Sequence, residues 1–154
     1  MSTTSSGSID PRGTRFSAAI TSGVLAAAVL LGPHTGLMLL VAQTLVFAAG
    51  ALLGPARQPY GWLFRHAVRP RLGPPAHTEP SAPPRFAQAV GLGFALLGLA
   101  GAVAGADVVF FVALGFALLA AVLNATIGFC LGCELFLLVQ RVRRRATGST
   151  RSSA

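Results

Sequence analysis

Four long apolar stretches, residues 16–31, 37–53, 86–104 and 108–123, form two pairs, each pair divided by a short glycine-containing break and the pairs separated by the longer segment 54–85, and the last stretch continues with interruptions to Val139. Each is ~16 to 19 residues long, close to the ~20 that a helix rising ~1.5 Å per residue needs to cross ~30 Å of hydrocarbon. Gly32-Pro33-His34-Thr35-Gly36 and Gly105-Ala106-Asp107 are turn-formers, too short for anything except tight connections between antiparallel helices. The pattern therefore predicts an all-α, four-helix transmembrane bundle built from two helical hairpins. Its helices are expected over residues 16–31, 37–53, 86–104 and 108–140 of a membrane domain spanning 12–145.

The flanks read differently. Residues 1–11 and 146–154 are rich in Ser, Thr and Gly and hold too little apolar surface to order themselves, so both are expected as disordered tails. In the middle loop, Tyr60, Trp62, Arg65 and Arg69 lie within ten residues, a mixture suited to a short helix in the lipid headgroup layer. Residues 70–84 contain six of the ten prolines and are expected to be an extended connector.

Composition narrows the solvent. The chain has 154 residues, 53% hydrophobic and 10% charged, against ~25% charged in an average soluble domain. The formal charge of +8 comes from twelve arginines, all outside the apolar runs and none in either hairpin turn. Under the positive-inside rule the two ends and the middle loop face the cytoplasm, giving a multi-pass protein of the cytoplasmic membrane with membrane lipids as its first partners. A nucleic-acid partner is not expected, because the basic segments are short loops and tails without base-stacking platforms. A cleaved signal peptide over the first run is disfavoured, since the following turn leads straight into another apolar run.

Two cysteines are present, three positions apart, in Gly128-Phe129-Cys130-Leu131-Gly132-Cys133-Glu134. On a helix, positions i and i+3 share a face, so the sulfurs can exchange electrons as a dithiol–disulfide pair or bind a soft metal together. The plainer alternative is packing, for which Cys is a suitable small hydrophobe and Gly128-x-x-x-Gly132 a suitable frame. Metal binding is disfavoured because zinc or an iron–sulfur cluster takes four ligands, which only dimerisation across the motif would supply, so no cofactor is expected. Asn124 and Glu134 flank the pair as candidate supporting groups, one to hydrogen-bond a neighbouring helix and one to move a proton. Counted from Val108, Cys130 lies ~33 Å along a straight helix, near the inner interface, so that helix must tilt, kink near Gly128 or outrun the hydrocarbon. Asp107 is expected as the N-cap of the last helix, Gln43 as a bond across the bundle, and Gly101-x-x-x-Gly105 as a close helix contact.

Asp10-Pro11-Arg12, Pro59-Tyr60-Gly61, Arg69-Pro70-Arg71-Leu72-Gly73-Pro74, Pro84-Arg85-Phe86 and the Gly-Phe-Cys-x-Gly-Cys-Glu segment carry a resemblance from residue 10 to about 140. The chain resembles the bacterial membrane family catalogued as domain of unknown function 4395. The resemblance implies a membrane location, a cysteine pair, and association with sulfurtransferase or thioredoxin-like proteins. The expected function is thiol–disulfide or sulfur relay through Cys130 and Cys133. A non-enzymatic scaffold working through the Pro/Arg loop, and a transporter of a small sulfur compound or metal, stand as the alternatives.

Overall fold

A computed structural model describes residues 7–148, and the side chains of 7–145. Apart from one two-residue strand pair it is helical. The helices are α1 (Pro11–Thr35), α2 (Leu37–Leu53), α3 (Pro59–Leu63), a π-helical turn (Phe64–Val68), α4 (Arg69–Leu72), α5 (Ala82–Val103), α6 (Asp107–Ile127) and α7 (Leu131–Gly148). Three of them, α1, α5 and α6, are long and apolar enough to cross a membrane, while α2 is a shorter apolar helix of 17 residues.

The long helices neighbour one another in the cyclic order α1, α2, α5, α6. Their shared core is Leu25, Ala28, Leu40, Phe47, Ala95, Phe110, Leu114 and Ala117. Polarity is inverted relative to a water-soluble domain. Gln43 and Gln58 are 0% and 2% exposed, whereas Leu30, Met38, Leu45 and Val103 are between 67% and 86% exposed. Burying amides while presenting so many long apolar side chains outward runs against a water-facing surface, and hydrocarbon is the solvent that favours this arrangement.

Glycines set how closely the helices approach. A Cβ at Gly98 would run into Leu114, and one at Gly101 would lie 2.8 Å from the backbone nitrogen of Phe110, so α5 and α6 meet at these two positions. Gly105 is not part of that contact. It sits in the α5–α6 turn at φ +71°, so the expected Gly101-x-x-x-Gly105 pair divides into one packing glycine and one turn glycine.

Several boundaries differ from the sequence expectation. Helix α1 starts at Pro11 rather than residue 16, because Asp10 caps it by accepting the Arg12 N–H at 2.9 Å and proline suits a first helical position. Of the tail expected to be disordered over 1–11, Ser8–Ile9 pairs antiparallel with Glu79–Pro80, and residues 1–6 lie outside the described residues. The 70–84 connector is thus partly ordered, by α4, by that strand and by α5 beginning at Ala82. Helix α7 likewise extends to Gly148, into the expected C-terminal tail, of which residues 149–154 lie outside the described residues. At the last hairpin Ala106 holds the cap position and Asp107 the first turn of α6, where its charge still complements the helix dipole. The π turn precedes Pro70, whose ring would clash with the His66 carbonyl in a regular α-helix, and the wider turn relieves this.

The expected fourth helix over 108–140 is two helices. Gly128 takes the left-handed conformation at φ 71° and ψ 13° and donates its N–H to the Asn124 carbonyl, which closes α6, and α7 restarts at Leu131.

Candidate functional site

The break between α6 and α7 places the two cysteines differently from the shared helix face expected of them. Cys130 immediately precedes α7, in the capping position, and its carbonyl accepts the Glu134 N–H at 3.0 Å. Its sulfur accepts the Cys133 N–H at 3.3 Å, where a serine or aspartate cap would present oxygen. Cys133 lies in the first turn of α7, and both thiols are free and half-buried. A helix N-terminus concentrates unpaired N–H groups and the positive end of the helix dipole, a setting that favours thiolate over thiol.

The ionisation of the pair follows from this geometry. The Cys133 thiol hydrogen-bonds the Cys130 sulfur, and this bond outweighs the opposing effect of burial; the N–H groups of Cys133 and Gly132 add to it, and Cys130 falls from its ordinary 9.0 to about 7 despite the nearby Glu134 charge. Cys133 is pushed up, first by holding the proton it shares with Cys130, then by burial and by the negative charges of Cys130, Glu79 and Glu134. The two sulfurs therefore differ in ionisation, Cys130 being the more acidic and Cys133 the one that keeps its proton.

Neighbouring elements hold the corner in place. A Cβ at Gly132 would lie 2.5 Å from Ala87 Cβ, so α7 touches α5 at the centre of the motif, and Phe86 and Phe136 extend that contact with ring centroids 5.6 Å apart. Arg15 donates to the Thr126 carbonyl at 3.0 Å, closing the end of α6, and a Cβ at Gly128 would lie 3.8 Å from its Cδ. This use of arginine recurs. Arg85 donates to the Ala51 and Leu52 carbonyls at the end of α2, and Arg12 to the Gly73 carbonyl just past α4. From the sequence these arginines read as topology markers only. In the structure each satisfies carbonyls that a helix C-terminus leaves without partners.

The other candidates are distributed as follows. Glu134 is exposed in the first turn of α7, close enough to act on both thiols by charge. Asn124 is half-buried in the last turn of α6, and its side chain makes no hydrogen bond to a described residue, so the expected bond to a neighbouring helix is not formed. Gln43 does bond across the bundle, donating to Thr21 Oγ1 at 3.3 Å and accepting from the Tyr60 hydroxyl at 3.0 Å. That bond turns the Tyr60 hydroxyl inward rather than toward headgroups, and burial raises its pKa. Trp62, 54% exposed and stacked on His66, together with exposed Arg65 and Arg69, stays at the surface. Among the described residues no three His, Cys, Asp or Glu side chains are grouped to hold a metal ion.

Among curated proteins and among solved structures nothing matches the chain. A family model described as a domain of unknown function (DUF4395) matches residues 9–141, a span that includes the capping Asp10, the Tyr60–Arg69 turn, both cysteines and Glu134. The chain belongs to that family.

Proposed function

We propose that this protein is a four-helix bundle of a bacterial inner membrane whose Cys130 and Cys133 reduce a disulfide of a cytosolic partner of the thioredoxin-like or sulfurtransferase kind. The membrane part rests on the inverted polarity of the bundle. The orientation rests on Arg12, Arg15 and Arg85, which meet helix ends at one end of the bundle, and on the positive-inside rule, which assigns that end to the cytoplasm. The cysteine pair lies at the same end, so cytosolic thiols reach it.

The observation that carries the chemistry is Cys130 Sγ held at the start of a helix with Cys133 in its first turn. The Cys130 thiolate attacks one sulfur of the partner disulfide, whose S–S bond breaks as the Cys130–partner bond forms, and the leaving thiolate takes a proton from water. Cys133 then loses its proton, to which the exposed Glu134 carboxylate is the nearest base in sequence, and attacks Cys130 Sγ. The Cys130–partner bond breaks, the released partner thiolate takes up the proton that Cys133 gave up, and the partner leaves as a dithiol, reduced by two electrons and two protons, with Cys130–Cys133 left as the disulfide. A cytosolic dithiol returns the pair to its starting state.

A packing role has one observation in its favour, the close approach of Gly132 to Ala87 within the motif. A trapping experiment separates the two. In cells carrying Cys133→Ala the resolving step is lost, and a mixed disulfide on Cys130 should accumulate and be released by reductant. Recovery of only unmodified protein from these cells would leave the cysteines as packing residues.

A further inference from the structure

A cavity of about 190 Å³ opens at the end of the bundle where α1 begins, between the first turns of α1 and the Tyr60–Arg69 turn. That is far more than the ~10–15 Å³ a single water needs and less than the ~300–1,000 Å³ of pockets for drug-sized ligands, which matches a headgroup rather than a whole amphiphile. Arg65 and Arg69, one helical turn apart, line it from one side. Neither guanidinium makes a hydrogen bond or ion pair of its own to a described residue, in contrast to the capping arginines Arg12, Arg15 and Arg85. Ser17, 4% exposed, also lines the cavity, and its hydroxyl makes no hydrogen bond to a described residue.

The charge of the cavity is positive. Its one carboxylate, Asp10, is bound by Arg12 at 3.0 Å and lies close enough to Arg69 to feel its field. The remaining wall includes an apolar part formed by Ile9, Pro55 and Phe64 beside the polar Ser8 and Thr14. Two guanidinium groups and a hydroxyl without a described protein partner suit a group with several acceptor oxygens, and phosphate is such a group. The apolar wall and the neighbouring exposed Trp62 place the cavity at a lipid interface, where phosphate comes attached to a glycerol stem.

We infer that this cavity binds the phosphate of one anionic phospholipid, held by Arg65, Arg69 and Ser17. The site pins the middle segment to the membrane surface and is independent of the thiol chemistry.

Native mass spectrometry of the full chain released from nanodiscs of mixed phosphatidylglycerol and phosphatidylcholine tests it. Wild type should retain one phosphatidylglycerol in preference to phosphatidylcholine, and Arg65→Gln/Arg69→Gln should lose that retention at least tenfold. Arg57→Gln/Arg71→Gln removes the same charge from the same segment outside the cavity and should change retention less than threefold. Should the first double variant fail to fold, Arg65→Gln alone, which breaks no hydrogen bond or ion pair to a described residue, must lower retention at least threefold. Equal losses in the two double variants, or no headgroup preference in wild type, would overturn the site. Displacement of the lipid by millimolar inorganic phosphate would assign the cavity to free phosphate and overturn the lipid assignment.

Discussion

Replacing Cys133 by alanine removes the thiol whose hydrogen bond does most to lower the Cys130 pKa, while its backbone N–H, 3.3 Å from Cys130 Sγ, remains. The fall from 9.0 to about 7 raises the thiolate fraction at neutral pH. It goes from about 1% to about one half. Each unit corresponds to ~1.36 kcal/mol of differential stabilisation of the thiolate. A less basic thiolate is also a weaker nucleophile, by ~6- to 10-fold over two units at a Brønsted coefficient of ~0.4–0.5, so the net gain in exchange rate at neutral pH is only ~5- to 8-fold. Because the folded value is lowered, the reactive form is present above about pH 7 and lost below it. Cys133→Ala should move the midpoint of Cys130 alkylation upward by about one unit, with the residual lowering left to the two backbone N–H groups and the helix N-terminus. Cys133→Ser restores a donor and should stay within about half a unit of wild type. Alkylation rates across about pH 5.5 to 10 on protein in nanodiscs, read by mass, give the three midpoints. A wild-type midpoint above about 8.5, or no shift in the alanine variant, would refute the argument that the helix start and the Cys133 thiol share the work of stabilising the thiolate.

Two further predictions follow from contacts. Gly132→Ala puts a methyl 2.5 Å from Ala87 Cβ and should loosen α7 from α5, lowering the thermal midpoint and speeding hydrogen exchange in α7, whereas Gly93→Ala meets nothing within 4 Å and should be neutral or stabilising by ~0.5–1 kcal/mol. Tyr60→Phe leaves the fully buried Gln43 with its Oε1 unpaired and should cost ~1–3 kcal/mol in reversible unfolding, while Trp62→Phe, on the exposed side of the same helix, should cost less than ~0.5 kcal/mol.

The helical class and the apolar helices could be read from the length and spacing of the hydrophobic runs, because hydrocarbon thickness fixes how many residues a helix needs. The hairpin turn at Gly32 is equally legible, and the residue adopts φ +77° there. The break at Gly128 was harder to see. Apolar residues continue on both sides of it, so hydropathy leaves a kink near Gly128 as one option beside tilt and overrun of the hydrocarbon. The signal that selects it is a glycine in the C-capping place after an apolar period, one of the few positions where a left-handed residue is needed. The cysteine motif was visible as a spacing, but its meaning changed with that break. Two thiols on one helix face have no built-in asymmetry, whereas a thiol before a helix and another in its first turn differ sharply in ionisation. The capping arginines were invisible because their partners are carbonyls up to 111 residues away in sequence, and a backbone acceptor leaves no trace in composition.

The proposed function requires Cys130 and Cys133 to pass between dithiol and disulfide. Full-length protein in nanodiscs, equilibrated across a series of glutathione redox buffers, quenched with acid and labelled with a thiol-specific reagent, reports it directly by mass. The account predicts one transition in which both labels are lost together, fitted by a two-electron curve with a midpoint between ~−180 and −270 mV, within the range of thiol–disulfide oxidoreductases. Two labels retained at every potential, or one glutathione added to Cys130 with Cys133 still free, would contradict it.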